Sequence, residues 1–292
     1  MVGPGFLDLP SRTVKPRGTG ITHVLDRGLP LGYCADLLES GGAYVDVWKF
    51  GWGISYLDRN LAAKLELLAT HRVLACPGGT LLEIAWAQGR TTEFLDWARD
   101  CGFPCVEVSS GTAAMTPAQK RELIGEAARH FIVLAEVGAK DPDARMLPEQ
   151  WAAAVADDLE AGATWVLAEG RASGTVGLYH PSGAVREDIV GALTAEVDPG
   201  LIVFEAPRES QQAWFVSAFG ADVNLANVAP ADALGLETLT LRYWEGTRFT
   251  VGPITPRARA PGRAIWPRTC PRAAQGAGSP GRARRQAPRW PG

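Results

Sequence analysis

What is scarce in this sequence narrows what the chain can be. No apolar run approaches the roughly 20 residues of a membrane-spanning helix; the longest are strand-sized, so no membrane partner is expected. Residues 1–17 contain Pro4, Pro10 and Pro16 and no apolar stretch of signal-peptide length, so a cytoplasmic location is expected. The five cysteines (Cys34, Cys76, Cys101, Cys105, Cys270) are odd in number and lack zinc-ribbon or CxxC spacing, which reads as reduced thiols without a role. Four histidines (His23, His71, His130, His180) form no HExxH pair, and neither GxGxxG nor GxxxxGK[ST] occurs. Histidine-based zinc, dinucleotide and P-loop sites are therefore not supported. Lysine is rarer still: of 29 basic residues five are lysines, leaving 24 arginines.

Acidic residues are missing from one place only. Residues 253–292 hold nine arginines, eight prolines and five glycines, with no lysine and no acid. Subtracting that +9 from the net charge of −3 leaves −12 for residues 1–252. Such a segment cannot bury enough apolar surface to order itself, and it reads as a disordered basic tail. No nucleic-acid role is expected of it, and folding should not need it.

What is present is a repeated unit. Eight apolar runs each end in a polar or glycine-rich cluster: 21–26, 44–51, 72–79, 104–111, 131–138, 165–171, 201–207 and 222–228. Their starts lie 21 to 36 residues apart, the length of a strand plus a crossover helix. Thr116-Pro117 and Pro148-Glu149 read as helix starts between runs. Eight units in one chain predict an α/β fold, a single (β/α)8 TIM barrel over 18–252, with an N-terminal arm (1–17) and the tail (253–292). In such barrels the C-terminal strand ends carry the active site. Asp26, Lys49, Glu107, Glu136, Glu169, Arg171, Glu205 and Asn227 all fall at or near those ends.

These residues suggest chemistry. Lys15, Lys64 and Lys120 lie in the arm and in crossovers, where a solvated charge is the plain reading. Lys49 and Lys140 follow strands two and five, where an ammonium can bind an anion, form a Schiff base or release a proton. Glu136, Glu169 and Glu205 end three consecutive strands and should converge. Like charges that close need either a hard cation such as Mg2+ or pairing with Lys49, Lys140 or Arg171. Gly78 and Gly79 follow strand three, and Gly170 to Gly174 follow strand six; exposed amides there suit an anion. Asn224 and Asn227 could orient a ligand or tie the barrel rim.

At these residues the sequence resembles the phosphosulfolactate synthase family, a (β/α)8 barrel group that includes the coenzyme M pathway enzyme. The matching strings include Lys49-Phe50-Gly51-Trp52-Gly53, Pro77-Gly78-Gly79-Thr80-Leu81-Leu82-Glu83, Glu136-Val137-Gly138, Glu169-Gly170-Arg171-Ala172-Ser173-Gly174 and Val223-Asn224-Leu225-Ala226-Asn227. The resemblance implies a lyase that adds sulfite to phosphoenolpyruvate with Mg2+, giving 2-phospho-3-sulfolactate. It implies Lys140, after the Glu-Val-Gly string, as the general acid. The metal would sit on Glu136, Glu169 and Glu205, and the substrate on Lys49, Gly78, Gly79, Arg171, Asn224 and Asn227. A homo-oligomer is expected. The chain departs from the family at Ser110, usually an aspartate, at Arg27, usually a lysine, and at 243–247. Two alternatives stand beside this reading: a Schiff-base aldolase on the same barrel, and a non-catalytic heat-stress-associated relative.

Overall fold

The computed structural model describes residues 13–138 and 146–242. All eight expected strands are there: β1 Thr22–Asp26, β2 Val47–Phe50, β3 Leu74–Pro77, β4 Cys105–Val108, β5 Ile132–Val137, β6 Trp165–Ala168, β7 Ile202–Glu205 and β8 Leu225–Val228. All ladders are parallel, in the order β3-β2-β1-β8-β7-β6-β5-β4. The helices between them are α1 Leu31–Gly41, α2 Ile54–Leu57, α3 Leu61–Thr70, α4 Gly79–Ala87, α5 Thr91–Cys101, α6 Pro117–Ala127, α7 Pro148–Ala161, α8 Glu187–Glu196, α9 Glu209–Phe219 and α10 Ala233–Arg242. Both expected helix starts are observed. Thr116 and Gln119 form a reciprocal cap ahead of Pro117, and α7 opens on Pro148 and ends at left-handed Gly162.

Strand side chains alternate, so two apolar layers form. Val24, Trp48, Phe50, Ala75, Val106, Val133 and Phe204 pack outward against the helices. Val47, Leu74, Cys76, Cys105, Leu134, Trp165, Leu167, Val203 and Ala226 fill the barrel interior. The same alternation carries Lys49, Glu107, Glu136 and Glu205 inward, each two residues beyond an interior apolar position.

The barrel is nearly closed rather than fully laddered, because β3 and β4 share no backbone pairing. Side-chain bonds bridge that seam. Cys105 Sγ donates to Ala75 O at 3.3 Å, and Gly79 N donates to Glu107 Oε1 at 2.8 Å.

Three lysines read as solvated charges are not. Lys64 is buried between Asp26 and Asp58, 3.3 and 2.7 Å away. Lys120 is buried and donates to Asp158 (2.5 Å) and to Glu136 O (2.7 Å). Lys15 donates to Gly42 O at 2.7 Å and to His71 O at 3.3 Å. Helical periodicity places a lysine on a face, but burial of its long stem depends on which carboxylates the neighbouring elements bring.

The end of the barrel opposite the charged strand termini is closed by polar staples. Arg17 meets Asp46 at 3.1 Å, and Asp46 accepts from Thr22 N. Asn224 sits just before β8, not after it. Its Oδ1 accepts from Ile21 N at 3.0 Å, and its Nδ2 donates to Gly200 O and Ile202 O. The ligand-orienting reading of Asn224 is thus corrected to a rim tie. Asn224→Ala should destabilise the fold by about 2–3 kcal/mol, near 1 kcal/mol for each of the two buried backbone groups left unpaired and less for the part-buried Gly200 O. Denaturant titration measures this, and steady-state constants should be unchanged; a raised KM with normal stability would return Asn224 to the ligand.

Candidate active site

At the C-terminal mouth of the barrel the inward charges surround a cavity of about 380 Å3. Lys49 rises from β2 into its centre, with Nζ 2.7 Å from Glu107 Oε2, 3.8 Å from Glu136 Oε2 and 3.8 Å from Glu205 Oε1. Burial alone would lower the lysine's pKa, but these three carboxylates outweigh it and raise the pKa above the ordinary value. These contacts favour Lys49 as an ammonium at neutral pH.

Glu136, Glu169 and Glu205 do converge. Each is buried, and one carboxylate oxygen from each lies within 4.8 Å of the other two. Like charges at that spacing repel by on the order of 3–4 kcal/mol per pair at an effective dielectric near 20. Among the described residues, Glu107 is a fourth buried carboxylate beside Lys49, within 2.7 Å of its Nζ. Lys140 lies outside the described residues. The strain registers at Glu205, whose pKa is pushed up to about 7, chiefly by burial, with Lys49 pulling it back and Glu136 and Glu107 adding to it. Glu107 is raised too, burial again leading. Three hard oxygen donors converging within 4.8 Å of one another are of the type that suits a divalent ion such as Mg2+, which binds through a few carboxylates and keeps sites for water or substrate.

The glycine-rich segments serve these carboxylates. Gly79 N donates to Glu107 Oε1, and a Cβ at Gly79 would collide with that oxygen and with Ser109 Oγ. Gly78 lines the cavity, but its N–H donates to Phe50 O at 2.9 Å. Gly170 N and Arg171 N both donate to Glu205 Oε2 at 2.9 Å, and Arg171 N also reaches Glu169 Oε1 at 2.7 Å. The Gly79, Gly170 and Arg171 amides hold the acidic ring, and none of the four, Gly78 included, is a spare donor for a ligand. The Arg171 side chain is exposed and lines the cavity mouth.

Asn227 belongs to the site and Asp26 does not. Asn227 lines the cavity from β8 with its backbone left-handed (φ 56°), and its Oδ1 is buried without a hydrogen-bond partner. Asp26 turns outward, accepting from Gly28 N, Leu29 N, Trp48 Nε1 and Lys64. Below the ring, His23 Nδ1 accepts from Asn227 N at 3.5 Å. Burial, helped by Lys49, lowers the His23 pKa to about 3, so the imidazole is neutral.

Sequence reasoning left several residues without a role. Glu107 was placed in the polar ring but assigned no chemistry, although it is the nearest partner of Lys49. Glu83 on α4 gathers the loop after β4, accepting from Ser109 Oγ, Thr112 N and Ala113 N. Tyr179 and Gln211 fold the long loop after β6 over the mouth: Tyr179 donates to Glu205 O, and Gln211 Nε2 donates to Gly174 O and Gly183 O. Glu107 had a signal, being two residues beyond inward Cys105, and Glu83 and Gln211 stood in family-like strings; Tyr179 had none.

Without a divalent ion the raised Glu205 pKa makes stability pH-dependent in a defined sense. A carboxyl whose folded pKa exceeds its unfolded value stabilises below the unfolded value, near 4.5, and loses that contribution as pH rises through about 7. In chelator, the wild-type Tm should fall relative to Glu205→Gln by about 5 °C between pH 5 and 8. Adding Mg2+ should reverse the fall in the wild type and much less in the variant. A constant difference across that range would show that Glu205 titrates normally.

The chain matches the (2R)-phospho-3-sulfolactate synthase family profile over residues 10–245. It is 39% identical to a phosphosulfolactate synthase of Bacillus subtilis (strain 168), covering 83% of this chain and 98% of that one. It is 41% identical to a phosphosulfolactate synthase of Methanothermobacter thermautotrophicus, covering 79% of this chain and 92% of that one. A Methanocaldococcus jannaschii protein of the same name is 39% identical over 75% of this chain and 90% of its own length. Among solved structures, 3-hexulose-6-phosphate synthase from Salmonella typhimurium superposes with a TM-score of 0.49 at 16% identity, over 76% of this chain and 98% of that one.

Proposed function

The chain belongs to the phosphosulfolactate synthase family, and on that premise we propose that it joins sulfite to phosphoenolpyruvate, giving 2-phospho-3-sulfolactate. The observation that carries this reading is the convergence of Glu136, Glu169 and Glu205 beside Lys49 in one cavity. In the proposed reaction the sulfur lone pair attacks C3 and forms the C–S bond. The C2–C3 π pair moves into the carboxylate, and a proton then adds at C2 to complete the product. Mg2+ on the three glutamates would supply Lewis-acid stabilisation for the charge that builds on the substrate carboxylate.

The residues divide the remaining work. Lys49, held charged by Glu107, Glu136 and Glu205, offers a fixed cation to an anionic group of the substrate. Arg171 at the mouth draws anions towards a cavity whose floor is acidic. Asn227 presents an amide whose hydrogen-bonding demand the protein leaves unmet. Gly78 lets the chain pass close to β2 and Gly79 lets α4 start close against Glu107 and Ser109 at the end of β4, so the cavity floor can form. Lys140, following β5, is proposed as the acid that protonates C2.

The charge state of Lys49 weighs against an aldolase reading. A Schiff base forms from a neutral amine, and Lys49 is stabilised as an ammonium. Of the two lysines that follow strand ends, that leaves Lys140 for such chemistry.

Purified protein incubated with phosphoenolpyruvate, sulfite and Mg2+ should yield the sulfonate by mass spectrometry, and excess chelator should abolish it. Lys140→Ala should lower kcat about a hundredfold or more with a smaller change in KM. Lys140→Arg should not rescue, because a guanidinium does not release a proton at neutral pH. Normal kcat with raised KM in both variants would make Lys140 an anion binder and place the acid elsewhere.

A further inference from the structure

A second hollow, about 410 Å3, lies against the active-site cavity and is not used by the reaction as written. The two share Leu25 and Asn227 as a common edge. Apart from Arg27 and Asn227 its lining is mostly apolar and includes Leu29, Tyr33, Pro207 and Pro230. Together the two offer the space of a drug-sized ligand, roughly 300–1,000 Å3, far more than a three-carbon acid fills.

The polar groups of this hollow gather at its border with the active site. Asn227, with its unsatisfied buried Oδ1, lies on the shared edge. Arg27 lines the second hollow, and its guanidinium sits 5.5 Å from the ring centroid of Trp52, which lines the first. Trp52 itself is left-handed (φ 48°), a conformation that costs a bulky residue energy. The border thus carries a cation braced against an aromatic ring, with an apolar chamber behind it. That pattern fits a ligand whose anionic head stays at the border while a carbon chain extends away.

We propose that this hollow is a substrate annex that receives the C3 substituent of 3-alkyl analogues of phosphoenolpyruvate. The substrate class then extends beyond the unsubstituted acid, with Arg27 and the annex walls as its specificity determinants. This rests on the function proposed above, because the annex is defined relative to a phosphoenolpyruvate seated beside Lys49 and the three glutamates. Burial of each added methylene against Leu29, Tyr33, Pro207 and Pro230 supplies the gain in affinity.

Calorimetric titration of the full chain, with Mg2+ present, tests the idea using phosphoenolpyruvate and its (Z)-3-methyl and (Z)-3-propyl analogues. Affinity should rise about twofold per added carbon, below the fourfold of full burial because the annex is partly open. Ala231→Trp, placed in the annex wall, should abolish that rise and leave phosphoenolpyruvate binding within about twofold of wild type. Affinity that is flat or falls with chain length, no binding of the analogues, or an equal loss for all three ligands in Ala231→Trp would overturn the annex. Binding that lengthens as expected without any sulfonate product would support the annex and defeat the proposed reaction. Sulfonation of the parent acid without analogue binding would do the reverse.

Discussion

The repulsion among four carboxylates at the barrel mouth is the constraint around which this structure is arranged. Glu107, Glu136, Glu169 and Glu205 are all buried, and Lys49 reaches three of them from β2. Leaving such groups ionised away from water is costly unless they are paired and hydrogen-bonded. Much of the surrounding detail meets that cost. Gly79 donates to Glu107, and Gly170 and Arg171 donate to Glu205. Tyr179 and Gln211 in turn hold the loop that aims those amides. Burial among these groups raises the Glu205 pKa, and a bound cation, as proposed, would relieve that crowding.

The same constraint orders the chemistry. In the proposed reaction, an acidic floor would repel the anionic substrates until positive charge is supplied. A divalent ion on the three glutamates, with Lys49 fixed as an ammonium, would convert that floor into one that binds anions. The positive groups at the mouth, Arg171 and the Arg27–Trp52 pair, then lie along the approach to the site.

Much of this was legible in the sequence because parallel barrel strands are short, nearly continuous apolar runs ending in polar residues. All eight runs became strands, and Glu136, Glu169 and Glu205 met as their positions at consecutive strand ends required. What could not be read was the facing of individual residues. Asp26 and Leu25 are adjacent, yet Leu25 lines the cavity while Asp26 is buried against Lys64. Asn224 and Asn227 are three apart, yet they stand at opposite ends of β8. Facing is decided by one-residue register, which apolar content does not report. The glycine segments misled for a related reason, since exposed-looking amides turned out to be bonded to glutamates brought in from neighbouring strands. Lys64 and Lys120 likewise found buried partners 38 residues away in sequence.

The central claim is that Glu136, Glu169 and Glu205 hold one divalent cation beside the substrate. Electron paramagnetic resonance with Mn2+ as the probe tests this directly. The account predicts one bound Mn2+ per chain, displaced by Mg2+, with a signal altered by phosphoenolpyruvate and lost in Glu136→Gln. Absence of bound Mn2+ in protein that still forms sulfonate at full rate would contradict it.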